Sequence, residues 1–266
     1  MHGAQYGCKL PGRAADTVAF VKTVGVDLAA EPAKTAVATL AWEHGTATVQ
    51  ALRLGATDPE IVAAIVAADR SGIDAPFGWP DAFVEFLGAH HRLEYSRERA
   101  LSSRPGRLPL VRRSTDRVVH ARTGIVPLSV SADLIAHVAL RCAGLLAELD
   151  AVGVEVDRVD GTVVEAYPAA ALQGWGLPFK GYKSAKNREV RAASVAVLEG
   201  ALPGLTLGGF RDLCVDSDDA FDAVVAGLVA RAAALGRTAR PDAAQHPVAV
   251  REGWIHLPVC GIGELL

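Results

Sequence analysis

The sequence predicts an α/β domain built on a central mixed sheet of about five strands, flanked by helices. Three observations predict it. Apolar runs of strand length, separated by turn residues, fill the first third of the chain; helical periodicity then gives way to a later strand; and the most strongly patterned helix is apolar on more than one face, as a helix laid on a sheet must be. With 266 residues, 50% hydrophobic and 21% charged, the chain can build a large core. That composition excludes a disordered, collagenous or coiled-coil protein.

Residues 1–22 place Lys9, Arg13 and Asp16 among small residues and hold no apolar stretch of the signal-peptide kind. They are expected to form a disordered tail ahead of a single domain over 23–266. The first strand covers 23–30 and turns from apolar to charged at Asp27. Strands at 34–42 and 46–54 follow, joined into a hairpin by the His44-Gly45 turn. Thr57 or Asp58 caps a helix that continues to about Ala68, with Pro59 in its first turn. A fourth strand ends at Gly72-Ile73-Asp74-Ala75-Pro76. From about 77 to 160 the pattern is helical and loop-like, which reads as an insertion: a short helix over 80–88, an irregular basic stretch over 93–127 and a long amphipathic helix over 131–152. The fifth strand covers 161–167. Helices over 168–175 and up to Leu198 lead to the closing helix at 218–235, capped by Asp216 or Ser217.

A net charge of −3 gives no global field that would draw the molecule to nucleic acid, so any such binding must rest on a local patch. One candidate is the arginine-rich stretch holding Arg97, Arg99, Arg104, Arg107, Arg112, Arg113, Arg117 and Arg122 against only Glu98 and Asp116; the alternative is a solvated loop. Lys180, Lys183 and Arg188 form a second basic group. Arg112, Arg113, Lys183 and Arg188 are the candidate phosphate contacts, and for Arg113 the alternative is an internal salt bridge to Asp116 that anchors the insertion. Cys8, Cys142, Cys214 and Cys260 form no C-x-x-C pair, and no run approaches eighteen apolar residues. A cytoplasmic protein with no membrane contact is the expectation, with its oligomeric state open.

The acidic residues carry the chemistry. Asp27, Asp74 and Glu165 each follow an apolar strand run, which places three carboxylates where open α/β sheets keep their ligand sites. Asp219 and Asp222 lie three apart, and Asp218 and Asp222 four apart, on one face of the closing helix. Gathering carboxylates away from water is costly without a cation, so convergence implies a metal, and all-oxygen ligands favour magnesium or manganese over zinc. For Asp216, Asp218 and Asp219 the competing reading is helix capping. The histidines show no metal-ligand spacing, no G-x-S-x-G elbow or phosphate-binding P-loop is present, and Trp79, Trp175 and Trp254 read as packing residues.

Several stretches in order resemble the domain-of-unknown-function family 429, described as predicted nucleases of the ribonuclease H-like superfamily. They are Gly25-Val-Asp27-Leu-Ala, Ile73-Asp74-Ala-Pro-Phe-Gly-Trp-Pro80, Arg113-Ser-Thr-Asp116, Val164-Glu165-Ala-Tyr-Pro168, Gly181-Tyr-Lys183, Asp218-Asp-Ala-Phe-Asp222-Ala and Glu252-Gly-Trp-Ile255. The resemblance implies a ribonuclease H-like fold with the insertion between strands four and five. Asp219-Ala-Phe-Asp222 is also similar to the acidic helix of RuvC-type junction resolvases. Those likenesses imply Asp27, Asp74 and either Asp219 or Asp222 as ligands of two magnesium or manganese ions, about 3.5–4 Å apart, in phosphodiester hydrolysis of DNA or RNA. Glu165 is left as an extra ligand, a general base or a structural acid. Two other classes compete: an actin-like phosphotransferase or ATPase, disfavoured because Asp27-Leu-Ala-Ala-Glu31 has no glycine for close phosphate approach, and a non-catalytic nucleic-acid-binding module.

Overall fold

The computed structural model describes residues 21–95 and 101–266. The expected tail therefore lies outside the described residues up to position 20, as do Arg97 and Arg99, while Val21 and Lys22 already belong to the first strand. Strands β1 (Val21–Asp27), β2 (Ala36–Glu43) and β3 (Thr46–Leu54) form an antiparallel meander. His44 and Gly45 both take positive φ at its second turn, the conformation a two-residue hairpin needs to match strand twist. Helix α1 (Asp58–Val66) follows behind a capping box at Thr57 and Glu60 and crosses to β4 (Arg70–Asp74), which runs parallel to β1.

The insertion comes next: α2 (Asp81–His91), α3 (Arg104–Val111), α4 (Ser114–Thr123) and α5 (Ala136–Ala151). Two of these correct the expectation of an irregular stretch over 93–127. Prolines there read as breakers, yet Pro105 sits in the first turn of α3, where its missing donor has no partner in any case, and Pro109 forfeits one bond in an eight-residue helix. Helix α5 starts at Ala136 rather than Ser131. The Ser129 amide bonds the Asp133 carboxylate at 2.6 Å and holds the preceding residues in a turn.

The chain returns to the sheet as β5 (Val163–Glu165) and continues through α6 (Pro168–Gly174), α7 (Arg188–Ala201), β6 (Leu205–Thr206), α8 (Arg211–Asp216), α9 (Asp218–Ala234) and α10 (His246–Glu252). The sheet has six strands, not five, in the order β5-β4-β1-β2-β3-β6. The sixth pairs with β3 through only two residues, too few to carry an alternating pattern. The Ser217 hydroxyl caps α9, accepting from the Ala220 amide at 3.2 Å. Among the described residues no helix is long and apolar enough to cross a membrane.

Helices cover both faces of the sheet. α1 and α5 bury Ile61, Ile65, Leu145 and Leu149 against Val24, Val26 and Ile73. α9 takes the other face, with its buried residues running from Ala220 to Ala233 on nearly every side because α6, α7 and α8 close over it. Its contact with the sheet is backbone on backbone. A Cβ on Gly25 would stand 2.0 Å from the Ala223 carbonyl oxygen and 2.2 Å from the Gly227 nitrogen, and one on Gly72 would stand 2.5 Å from the Ala226 oxygen. Gly25→Ala must push α9 off β1 along the buried centre of the molecule. We expect it to cost at least about 3 kcal/mol, read as a lower urea midpoint with unchanged m-value; an unchanged midpoint would mean α9 moves freely on the sheet.

Candidate metal centre

The parallel register of β1 and β4 places Asp27 directly beside Asp74 at the ends of both strands. Side chains alternate across a strand, so Gly25 and Asp27 share one face of β1, and Gly72 and Asp74 the same face of β4. That is the face α9 covers. Asp222 lies four residues, one helical turn, ahead of Ala226, whose carbonyl rests over Gly72, so its carboxylate arrives at the strand ends. Carboxylate oxygens of Asp27, Asp74 and Asp222 all lie within 4.8 Å of one another, with Asp222 buried and the other two half-buried.

These three acids hold protons more tightly than isolated carboxyls. Burial is the first cause for each. The neighbouring carboxylates add to it at Asp27, which is pushed well above the usual range, and Asp74 is raised to about 7 despite the attraction of Lys183. Asp222 is pulled back by two partners: the Lys183 ammonium 2.6 Å from Oδ2, and the Tyr182 hydroxyl, which donates to Oδ1 at 2.7 Å. Burial works against the Lys183 charge, but Asp222, Asp74 and Asp27 more than offset it and raise its pKa above the ordinary lysine range. The lysine side chain is 57% exposed, so solvent partly screens the pair. Three carboxylates facing one ammonium leave the cluster short of positive charge.

The segment carrying Tyr182 and Lys183 is tied down from below. The fully buried Arg191 guanidinium donates to the carbonyls of Tyr182 at 2.8 Å, Val215 at 2.8 Å and Asp216 at 2.9 Å, joining that segment to the end of α8. The Tyr182 ring meets Phe221 edge-on at 5.4 Å. Sequence reasoning missed both Tyr182 and Arg191. The tyrosine stands between two residues singled out in Gly181-Tyr-Lys183, but nothing in that tripeptide shows its hydroxyl reaching Asp222.

Glu165 does not join the triad. β5 pairs with β4 one residue out of step, Glu165 against Ile73, so its side chain takes the opposite face of the sheet from Asp74. There it belongs to a buried ionic group. Arg113, 2% exposed, donates to both Glu165 oxygens at 2.7 and 2.9 Å and to Asp116 Oδ1 at 3.0 Å, and the Phe77 amide adds a bond to Glu165. Burial raises the Glu165 pKa, against the opposing pull of Arg113. Glu252 completes the group by accepting from the first amides of two helices, Asp81 of α2 at 2.8 Å and Ser114 of α4 at 2.6 Å. Arg113 thus takes the role of internal anchor for the insertion, as its alternative reading had it, and is turned away from solvent.

The remaining candidates lie outside the cluster. Asp219 sits one turn ahead of Asp222, half-buried beyond the strand ends, its pKa raised by burial and by Asp218. Arg188 pairs with Asp216 at 2.7 Å on the surface, and the Arg112 guanidinium donates to the Pro127 carbonyl. Beside Asp74 opens a cavity of about 380 Å³, walled by Glu165, Tyr167, Phe179, Lys180 and Lys183. A family model described as "Protein of unknown function (DUF429)" matches residues 25–246. No curated protein and no solved structure matches the chain.

Proposed function

Because the chain belongs to the DUF429 family, whose description assigns no activity, we propose from the site itself that it is a metal-dependent nuclease of ribonuclease H-like fold. The observation that carries the reading is the convergence of Asp27, Asp74 and Asp222 at the ends of two parallel strands and on the covering helix. The strand order with β1 at its centre, and acids closing β1 and β4, supports the ribonuclease H-like assignment. The donor set fits a hard divalent cation: three carboxylates, no thiol or imidazole among them, and one exposed ammonium to balance three negative charges. Asp27, Asp74 and Asp222 would together hold the magnesium or manganese ions. Bound there, they would supply an activated water and stabilise the leaving oxygen in an in-line phosphodiester displacement.

The chain's own groups prepare the site. Tyr182 fixes one oxygen of Asp222 and leaves the other to a cation, while Lys183 can trade its contact with Asp222 for a substrate phosphate. Tyr167, Phe179 and Lys180 line the adjoining cavity, which offers aromatic surface and positive charge to a nucleotide. The cysteines Cys142, Cys214 and Cys260 are all free, which supports a reducing, cytoplasmic setting.

The test is cleavage of labelled single strand, duplex, RNA–DNA hybrid and four-way junction with manganese or magnesium. Cutting of at least one substrate, abolished by chelator, is the expected result. A folded protein that binds the metal, cuts none of the four and hydrolyses ATP would transfer the site to phosphotransfer chemistry.

A further inference from the structure

A second cavity, of about 660 Å³, opens between α3 and α4. α3 turns Arg104, Arg107, Leu108 and Val111 toward it, the i, i+3, i+4, i+7 face with which a helix ordinarily closes on its neighbour. α4 supplies Arg117 and His120, one turn apart. The facing surfaces stay apart, and the charge count explains why. Among the described residues, Arg112 brings the guanidinium groups of the wall to four, and the single carboxylate with them, Asp116, has both oxygens committed to Arg113. Among the described residues Arg107 and Arg112 donate to the uncharged carbonyls of Leu101 and Pro127. Arg104 and Arg117 make no ion pair among the described residues. Guanidinium groups gathered on facing helices repel one another unless an anion stands between them.

Leu108 and Val126, 43% and 52% exposed, lie among these charges. Apolar surface interleaved with fixed cations suits a ligand in which phosphates alternate with sugars and bases. Pro127 also lines the cavity beside Asp74, so the two cavities are neighbours. We propose that the α3–α4 cavity is a phosphate subsite that grips single-stranded nucleic acid next to the triad. The identity of the strand rests on the nuclease reading; the cationic cavity does not.

The two are separable by measuring binding without cleavage. Anisotropy of a labelled single-stranded oligonucleotide is followed in chelator for wild type, for Arg104→Gln with Arg117→Gln, and for Arg53→Gln, which removes an exposed charge from β3. The double variant is expected to bind at least about tenfold more weakly and to lower the slope of log K against log salt by roughly 0.7 for each phosphate contact removed, with Arg53→Gln near wild type. Equal binding by the double variant would overturn the subsite and leave the nuclease reading to its cleavage assay. Failure of wild type to bind any oligonucleotide would overturn the subsite whatever the triad does, and loss of binding equally in Arg53→Gln would reduce it to general charge.

Discussion

Asp27→Asn is expected to make the metal-free protein more stable and the metal-loaded protein inactive. The two effects have one origin. Asp27 meets Asp74 across adjacent strands and Asp222 from the helix above, with one exposed lysine to balance them. The folded protein therefore holds protons on these acids that the unfolded chain has released. Stability from such groups is complete below the unfolded carboxylate pKa and is lost as pH rises through the folded one; for Asp74 the window runs from 3.8 to about 7. Metal-free wild type should weaken across that window. Metal, competing with the same protons, should bind more tightly as pH rises through it. At pH 7.5 in chelator Asp27→Asn should melt above wild type, since the amide has neither a charge to be repelled nor a proton to take up on folding. With manganese at about a hundred times its Kd, wild type should gain roughly 2.7 kcal/mol and the variant almost nothing. Cleavage should fall at least about 100-fold in Asp27→Asn and in Asp222→Asn. A manganese-induced rise in melting temperature of equal size in wild type and both variants would place the metal elsewhere.

Arg113→Met should be the most damaging single change to stability. Arg113 lies at 2% exposure between Asp116 and Glu165, and its guanidinium forms an ion pair with each. Removing it strands two buried carboxylates, a loss of about 3–5 kcal/mol. Arg113→Lys should rescue little, because one ammonium cannot reach both carboxylates and the Glu252 carbonyl, which the guanidinium contacts together. Adding Glu165→Gln to Arg113→Met should recover part of the loss, since the residual cost is unpaired charge. Urea unfolding of the two single variants and the double variant gives the coupling directly. Strictly additive losses would mean that Glu165 and Arg113 stabilise the fold independently.

The sequence exposed the parts of the fold whose patterns are local. β1 through β4 and α9 were legible because each has a run long enough to show its period, and the cap of α9 was narrowed to Asp216 or Ser217 by residue type. The same logic pointed to Asp27 and Asp74, since strand ends follow from periodicity, but on the closing helix it left Asp219 and Asp222 as alternatives, of which only Asp222 joins the cluster. Glu165 was not separable from them, because it too ends an apolar run and only the one-residue offset between β4 and β5 turns it to the other face. Register between distant strands leaves no trace in either strand alone. Within the insertion the helices over 80–88 and 131–152 were legible and the stretch over 93–127 was not: α3 and α4 are short, rich in arginine and, in α3, interrupted by proline, and they owe their order to tertiary partners such as Glu252, more than 130 residues along the chain from Ser114. Tyr182 escaped because a hydroxyl's partner depends on packing, not on neighbours in sequence.

The glycine-lined contact between α9 and the sheet bears on which ions the proposed site can accept. Where side chains separate a helix from a sheet, rotamer changes let the gap widen or narrow. At Gly25 and Gly72 main chain rests on main chain, so the spacing between Asp222 and the two strand-end aspartates is set without any adjustable part. A cation lodged there would meet a cage of fixed aperture, able to turn its carboxylates but not to spread them. Calcium needs longer bonds and six to eight oxygens, whereas magnesium sits at about 2.0–2.1 Å in a strict octahedron. At the proposed site, discrimination by ionic radius would thus be set by the backbone, ahead of any choice made by the ligands themselves.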